Sequence, residues 1–112
     1  MITALEYQLD AARTINPDVE AMGGEAVLTE ALMGLAGESG EALELLKKYK
    51  FQGHAMNIEK MVEELGDVSW YLAEAATALN VELSDIFAAN LAKLEKRYPN
   101  GFAAERSVNR DE

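Results

Sequence analysis

Apolar residues recur along this chain at the three- and four-residue spacing that one face of an α-helix produces. The pattern predicts four helices, at about residues 3–14, 25–49, 57–79 and 84–97. No segment shows the strict alternation of polar and apolar residues that is typical of a half-buried strand. Short connections between the later helices favour antiparallel neighbours. The predicted fold is therefore all-α, an antiparallel four-helix bundle-like protomer.

Residues that favour helix ends mark the predicted boundaries. Thr3 and Glu6 have the spacing of a capping box, and Asn57 and Ser84 are suitable N-caps for two later helices. Residues 15–24, INPDVEAMGG, contain a proline and a Gly-Gly pair and are predicted to form a loop.

The length of 112 residues fits one small domain. Pro99, Asn100 and Gly101 are expected to end the last helix. We therefore predict a single helical domain over residues 1–102 and a polar C-terminal tail over residues 103–112.

Composition narrows the possible functions. The formal net charge of −10 argues against binding to a nucleic-acid polymer, which needs a basic surface. The chain has no cysteine and a single histidine, His54, so a metal site must be built mainly from oxygen ligands. No run of about 18 apolar residues and no signal peptide is visible. We expect a cytoplasmic protein that does not bind membranes.

Two pairs of acidic residues stand at matching positions on the two central helices. At about 100° per residue, Glu38 and Glu41 lie together at one edge of the apolar face of the helix at 25–49. Glu64 and Asp67 lie in the same way on the helix at 57–79. The apolar faces are formed by Leu28, Leu32, Leu35, Leu43 and Leu46 on the first of these helices, and by Met61, Leu65, Val68, Leu72 and Leu79 on the second. If these faces pack together, both acidic pairs converge on one groove.

Four clustered carboxylates cannot all remain ionised without a cation. Mg²⁺ and Mn²⁺ prefer carboxylate oxygens, and Mg²⁺ held by few protein ligands usually acts on phosphates. Pairs of glutamates three residues apart are also common on solvated helix faces, so spacing alone leaves both interpretations open. The remaining central acids fall on more polar sectors and are expected to be solvated: Glu44, Glu59, Glu63 and Glu74.

Three glycines interrupt the helix around Glu38, and each costs a helix roughly 1 kcal/mol relative to alanine. Gly34, Gly37 and Gly40 fall on the sector that includes and borders the acids. Without side chains there, another helix, a metal or a triphosphate can approach the backbone closely. The glycines are therefore predicted to supply clearance.

The segments GLAGESGEALELLKK and EELGDVSWYL resemble the MazG-type all-α nucleoside triphosphate pyrophosphohydrolases. The signature of that family, E-x-x-E followed by E-x-x-D, is matched by Glu38, Glu41, Glu64 and Asp67. NLAKLEKRYPNG resembles the family's last helix, and the similarity spans roughly residues 28–102.

The resemblance implies hydrolysis of a nucleoside triphosphate, either a deoxynucleotide or a non-canonical one, to the monophosphate and pyrophosphate. It implies that Glu38, Glu41, Glu64 and Asp67 hold Mg²⁺, and that the protein is a homodimer or homotetramer. One carboxylate can accept the proton of the attacking water. Glu41 is the first candidate and Glu38 the second.

Candidate substrate contacts follow from position and resemblance. Lys93 and Arg97 share one face of the last helix, where cations suit phosphate oxygens; they are equally typical of cations at a helix C-terminus. Asn90 lies one turn earlier. The remaining candidates are Tyr71 for the sugar or base, Lys48 for phosphate, and Gln8, Arg13 and Thr14 for base selection.

Two other functions remain open. One is a non-catalytic helical module that dimerises or binds a partner while keeping the same fold. The other is a phosphoribosyl-ATP pyrophosphatase, which has similar acids and a different substrate.

Overall fold

The computed structural model describes residues 1–110, which form helices and no β-strand, so the all-α prediction is confirmed. The helices are α1 (Ala4–Ala12), α2 (Pro17–Ala21), α3 (Gly24–Phe51), α4 (Ile58–Ala78), α5 (Leu83–Arg97) and α6 (Ala104–Val108). None of the helices in this described part combines the length and apolarity needed to cross a membrane.

Two of the predicted N-caps are present. The Thr3 hydroxyl accepts a hydrogen bond from the Glu6 N–H at 3.1 Å, and the Asn57 side chain accepts one from the Lys60 N–H at 3.0 Å. The prediction of Ser84 as the cap of α5 is wrong, because Glu82 holds that position. Its side chain and that of Asp85 each accept a hydrogen bond from the other's backbone, a reciprocal arrangement that one serine cannot make.

The prediction of a loop over residues 15–24 is also wrong in part, because residues 17–21 form α2. The Asn16 side chain accepts a hydrogen bond from the Asp18 N–H at 2.9 Å. Pro17 occupies the first turn, where its missing N–H costs nothing. Gly23, at φ 105°, then makes the sharp entry into α3.

The molecule is organised around an antiparallel hairpin of α3 and α4. Gly24 lies against the Ala78 carbonyl oxygen, and Gly34 lies against the ring of Tyr71. Helix α1 packs on α4, α2 packs on α3, and α5 contacts α1 and α4. The radius of gyration is 17.1 Å, whereas a compact domain of this length has about 13 Å. The protomer is thus an extended hairpin with shorter helices beside it, and the predicted four-helix bundle is not established.

The expected packing of the two leucine faces is only partial within the protomer: Leu28, Leu35, Met61, Val68 and Leu72 are half-buried, and the other members are exposed. Leu32 is 52% exposed, Leu43 66% and Leu65 52%. Helix α3 instead buries Val27 and Ala31. The residues that α4 buries are mostly alanines. Ala73 and Ala76 form the core together with Leu83, against Tyr7 and Ala11 of α1 and Ile86 of α5. Several large apolar residues of α3 and α4 remain on the surface.

Residues 104–108 of the predicted tail form the short helix α6. Its Arg106 side chain donates to the carbonyl oxygens of Lys96 and Arg97 at the end of α5. Residues 111 and 112 of the predicted tail lie outside the described residues.

Candidate active site

Three of the four predicted acids meet where α3 and α4 pack side by side. Glu38, Glu64 and Asp67 each place one carboxylate oxygen within 4.8 Å of the others. The antiparallel hairpin brings them together, since it places residue 38 of α3 opposite the segment 64–67 of α4. Glu41 is exposed and is not part of this group. We refer to Glu38, Glu64 and Asp67 as the acid cluster.

Negative charge accumulates in the acid cluster. Partial burial, a hydrogen bond with Glu64, and the charges of Asp67, Glu64 and Glu41 all raise the pKa of Glu38. The Glu64 side chain is only 12% exposed, and its nearest cation is Lys60, with Nζ 3.8 Å from Oε1. One largely exposed lysine does not offset three carboxylates, so the site favours binding of a further cation.

The donor set fits a hard divalent cation. All three groups present carboxylate oxygens, the ligands that Mg²⁺ and Mn²⁺ prefer. The helix surface next to Glu38 is also open: a Cβ atom placed on Gly37 or Gly40 would meet no neighbouring atom of residues 1–110 within 4 Å. A hydrated ion or a phosphate therefore has room on this side.

Gly34 lies in a packed environment, unlike Gly37. The Tyr71 ring lies directly against its backbone, in the space that a Cβ atom would occupy. The absence of a side chain at Gly34 therefore allows a close approach, as predicted, but the group that approaches is the Tyr71 ring of the neighbouring helix. Burial and the charges of Glu38, Glu74, Glu30 and Asp67 raise the pKa of Tyr71, which places its hydroxyl among acids on both sides.

Helix α1 is fixed against α4 close to the acid cluster. The Trp70 indole N–H donates to the Thr14 hydroxyl at 2.8 Å, and the Trp70 ring meets Tyr71 edge-to-face with centroids 4.9 Å apart. Tyr7 of α1 is half-buried, and burial together with the charge of Asp67 raises its pKa. The sequence pattern gave no reason to place Tyr7 next to the acids.

The three residues predicted to select the base do not form one site. Gln8 is only 7% exposed: its amide nitrogen donates to Thr77 and to the Val81 carbonyl, and its oxygen accepts from the Leu83 N–H at 2.7 Å. This saturated amide holds α1 against the α4–α5 connection, so the geometry does not support a substrate contact for Gln8. The Thr14 hydroxyl donates to the Ala11 carbonyl and accepts from Trp70. Arg13 is exposed and lies 3.5 Å from Asp10.

The predicted phosphate-binding cations are not part of the acid cluster. Lys93 and Arg97 line an open cleft of about 640 Å³ between α5 and α6, and Asn90 is exposed one turn before them. The other residues of this cleft are Lys96, Glu105, Arg106, Asn109 and Arg110. Lys48 is half-buried near the end of α3. Within one protomer, the described residues that line this cleft and those of the acid cluster do not overlap.

A second pair of acids lies further along the α3–α4 contact. Glu74 was expected to be solvated, but it is only 2% exposed and is the largest fully buried side chain among the described residues. Among residues 1–110, no N–H or hydroxyl group donates to either of its carboxylate oxygens, and the carboxylate of Glu30 lies beside them. Burial and the carboxylate of Glu30 raise the pKa of Glu74 to about 8. Sequence periodicity missed this pair because it was measured from the leucine face, which is only part of the surface that packs.

Comparison with known proteins agrees with the site geometry. The family model of the MazG nucleotide pyrophosphohydrolase domain matches residues 28–102, which include α4, α5 and nearly all of α3. The chain is 36% identical over 112 residues to the Gene 37 protein of Mycobacterium phage L5, and the alignment covers 93% of this chain and 96% of that protein. No solved structure matches the chain. The chain therefore belongs to the MazG nucleotide pyrophosphohydrolase family.

Proposed function

We propose that this protein hydrolyses a nucleoside triphosphate, either a deoxynucleotide or a non-canonical one, to the nucleoside monophosphate and pyrophosphate. The observation that carries the proposal is the acid cluster, in which three carboxylates from two helices meet within 4.8 Å. Such a cluster is costly for the folded state unless a cation binds there. Family membership supports the same reaction class.

Glu38, Glu64 and Asp67 would hold Mg²⁺, or Mn²⁺ in its place. When bound, the ion supplies charge neutralisation for triphosphate oxygens and lowers the pKa of a coordinated water. Glu41 is exposed beside the cluster, one turn after Glu38. A carboxylate that does not bind the metal can accept a proton from water, so the exposure of Glu41 beside the cluster supports the proposal that it is the general base.

The experiment is a substrate panel. The protein is incubated with canonical and modified NTPs and dNTPs and with phosphoribosyl-ATP, with and without Mg²⁺, and the products are resolved. Monophosphate and pyrophosphate formed only with the metal are the expected result. Inorganic phosphate as the first product, or no turnover of any nucleotide, counts against the proposal. Turnover of phosphoribosyl-ATP alone would assign the protein to that related reaction.

We further propose that the protomer assembles into a homodimer or homotetramer through its exposed leucine face. Large apolar residues on both long helices are exposed, including Leu32, Leu43 and Leu65. Contiguous apolar surface of this kind marks interaction sites. Sedimentation should show an oligomer that Leu43→Lys weakens, whereas a monomeric wild-type protein would refute this assembly.

A further inference from the structure

The buried Glu30–Glu74 pair has no part in the proposed hydrolysis, and the unpartnered oxygens of Glu74 require an explanation. Burial and the adjacent carboxylate of Glu30 raise the pKa of Glu74 to about 8, so Glu74 retains its proton at neutral pH. Glu74 is the deeply buried member of the pair, and Glu30 is half-buried.

Glu30 also lines an open groove of about 650 Å³ on the outer side of α3. The walls of the groove are mainly apolar: Val19 of α2, Met22 directly after α2, Ala26 and Met33 of α3, and Tyr71 of α4. The nearby Thr29 hydroxyl already donates to the Glu25 carbonyl at 2.8 Å. Glu30 is therefore the acidic group that an occupant of the groove would meet.

The groove is connected to the acid cluster through Tyr71. This residue lines the groove, and its hydroxyl is affected by the charges of Glu38 and Asp67 as well as those of Glu30 and Glu74. Along α3, Glu30 precedes Glu38 by two helical turns, which corresponds to about 12 Å. A nucleotide whose phosphates lie at the acid cluster can span that distance with its sugar and base.

We propose that this groove binds the nucleobase of the substrate, and that Glu30 accepts a hydrogen bond from an exocyclic amino group of that base. The assignment rests on the proposed function for the position of the phosphates. Apolar walls and the edge of an aromatic ring suit the faces of a base. An ionised carboxylate accepts hydrogen bonds and cannot donate, so it favours an amino group over a carbonyl at the same position. The protein should thus prefer adenine to hypoxanthine and cytosine to uracil.

The test measures binding without turnover. The full-length protein, labelled with ¹³C at its methionine methyl groups, is titrated in the presence of Mg²⁺ with dAMP, dIMP, dCMP and dUMP, monophosphates that the proposed reaction does not hydrolyse. The methyl signals of Met22 and Met33 should shift, while those of Met1 and Met56, which lie outside the groove lining, should not. Each amino-bearing nucleotide should bind about 10-fold more tightly than its carbonyl partner.

Glu30→Gln supplies an amide that both donates and accepts, so it should reduce the amino-to-carbonyl preference to within about twofold. Glu25→Gln, an exposed acid on the same helix, should retain the wild-type preference. Met33 is 71% exposed, so Met33→Lys should leave the fold intact while weakening binding of all four nucleotides. This variant keeps the test decisive if Glu30→Gln does not fold.

Equal affinities within each nucleotide pair, unshifted Met22 and Met33 signals, or a preference that survives Glu30→Gln would each overturn the assignment. The readout is separate from hydrolysis. Groove binding with no triphosphate turnover would refute only the proposed function, and turnover without any groove response would refute only the base site.

Discussion

Two groups of acids lie along the same α3–α4 contact and experience opposite environments. The acid cluster at Glu38, Glu64 and Asp67 opens towards Gly37 and Gly40, where no side chain of the described residues fills the space. The Glu30–Glu74 pair lies beyond Tyr71 and is closed to water at Glu74. An open group of carboxylates can resolve its repulsion by binding a cation, whereas a closed pair must retain a proton. The two groups of acids therefore differ in their access to water and cations and not in residue type.

Removing a carboxylate from the acid cluster should have the largest effect, a loss of catalytic activity. Asp67→Asn is expected to lower kcat/KM by at least about 100-fold, because a neutral amide binds Mg²⁺ more weakly and offsets less charge. Steady-state kinetics with Mg²⁺ and the best nucleotide of the panel measure this. Glu44→Gln is the control, since Glu44 only pairs with Lys47 on the helix surface and should stay within about twofold. Wild-type kinetics for Asp67→Asn would rule out the acid cluster as the active site.

The Glu30–Glu74 pair should make the free energy of unfolding depend on pH. The pKa of Glu74 rises from 4.5 to about 8 on folding, so between these values the native state keeps a proton that the unfolded state has lost. Stability should therefore fall as the pH rises from about 4.5 through about 8. One pKa unit corresponds to about 1.4 kcal/mol, so full ionisation costs the fold a few kcal/mol.

Glu74→Gln removes this titration. Its melting temperature should exceed that of the wild type by several degrees near pH 8.5, with a smaller difference near pH 5. Glu63→Gln, whose side chain is 69% exposed in the wild type, should leave the pH profile unchanged. Parallel profiles for Glu74→Gln and wild type would mean that Glu74 is ionised in the native state.

Gly34, between the two groups, can be compared with Gly37 at the open end. Gly34→Ala forces a methyl group into the Tyr71 ring and should lower the free energy of unfolding by about 1–3 kcal/mol. Gly37→Ala meets no neighbour and should raise it by about 0.5–1 kcal/mol, since alanine favours the helix. Urea unfolding measures both. The same sign of change for both variants would contradict the packing of Tyr71 on Gly34.

Metal binding at the open group should raise the stability of the fold by a modest amount. At Mg²⁺ concentrations about tenfold above its Kd, the gain in stability is about 1.4 kcal/mol. This gain should shrink as the pH is lowered, because the raised pKa of Glu38 makes protons compete with the ion. Thermal melts with and without Mg²⁺, then with EDTA, test this. If Mg²⁺ raised the melting temperature of Asp67→Asn as much as that of the wild type, the ion would bind at another site.

Much of the local structure could be read from the sequence. Thr3 and Asn57 cap their helices as predicted, because a cap depends on only a few neighbouring residues. The E-x-x-E and E-x-x-D motifs correctly indicated the family and three acids that meet. The position of Glu41 outside this group could not be predicted, since two residues one turn apart can share a helix edge and still differ in their reach to another helix.

The errors concern which helix faces meet. Helical periodicity identified the leucine face correctly as apolar, but it cannot show whether that face contacts the same chain, a second copy or solvent. Glu74 and Gln8 illustrate the consequence. One was expected in water and is buried, and the other was expected at the substrate and instead bonds Thr77, Val81 and Leu83.

The sequence by itself determined the helical class, most helix boundaries, the excess of acid and the motifs that mark the family, since each depends on composition or on short-range spacing. The tertiary structure decided the register and rotation of α3 against α4. Small residues such as Gly34 and Ala31 allow a close approach that the leucines would not. That rotation brings Glu38, Glu64 and Asp67 into one open site and buries Glu74 against Glu30. Carboxylates of the same chemistry thus become either accessible or buried, and only tertiary packing decides which.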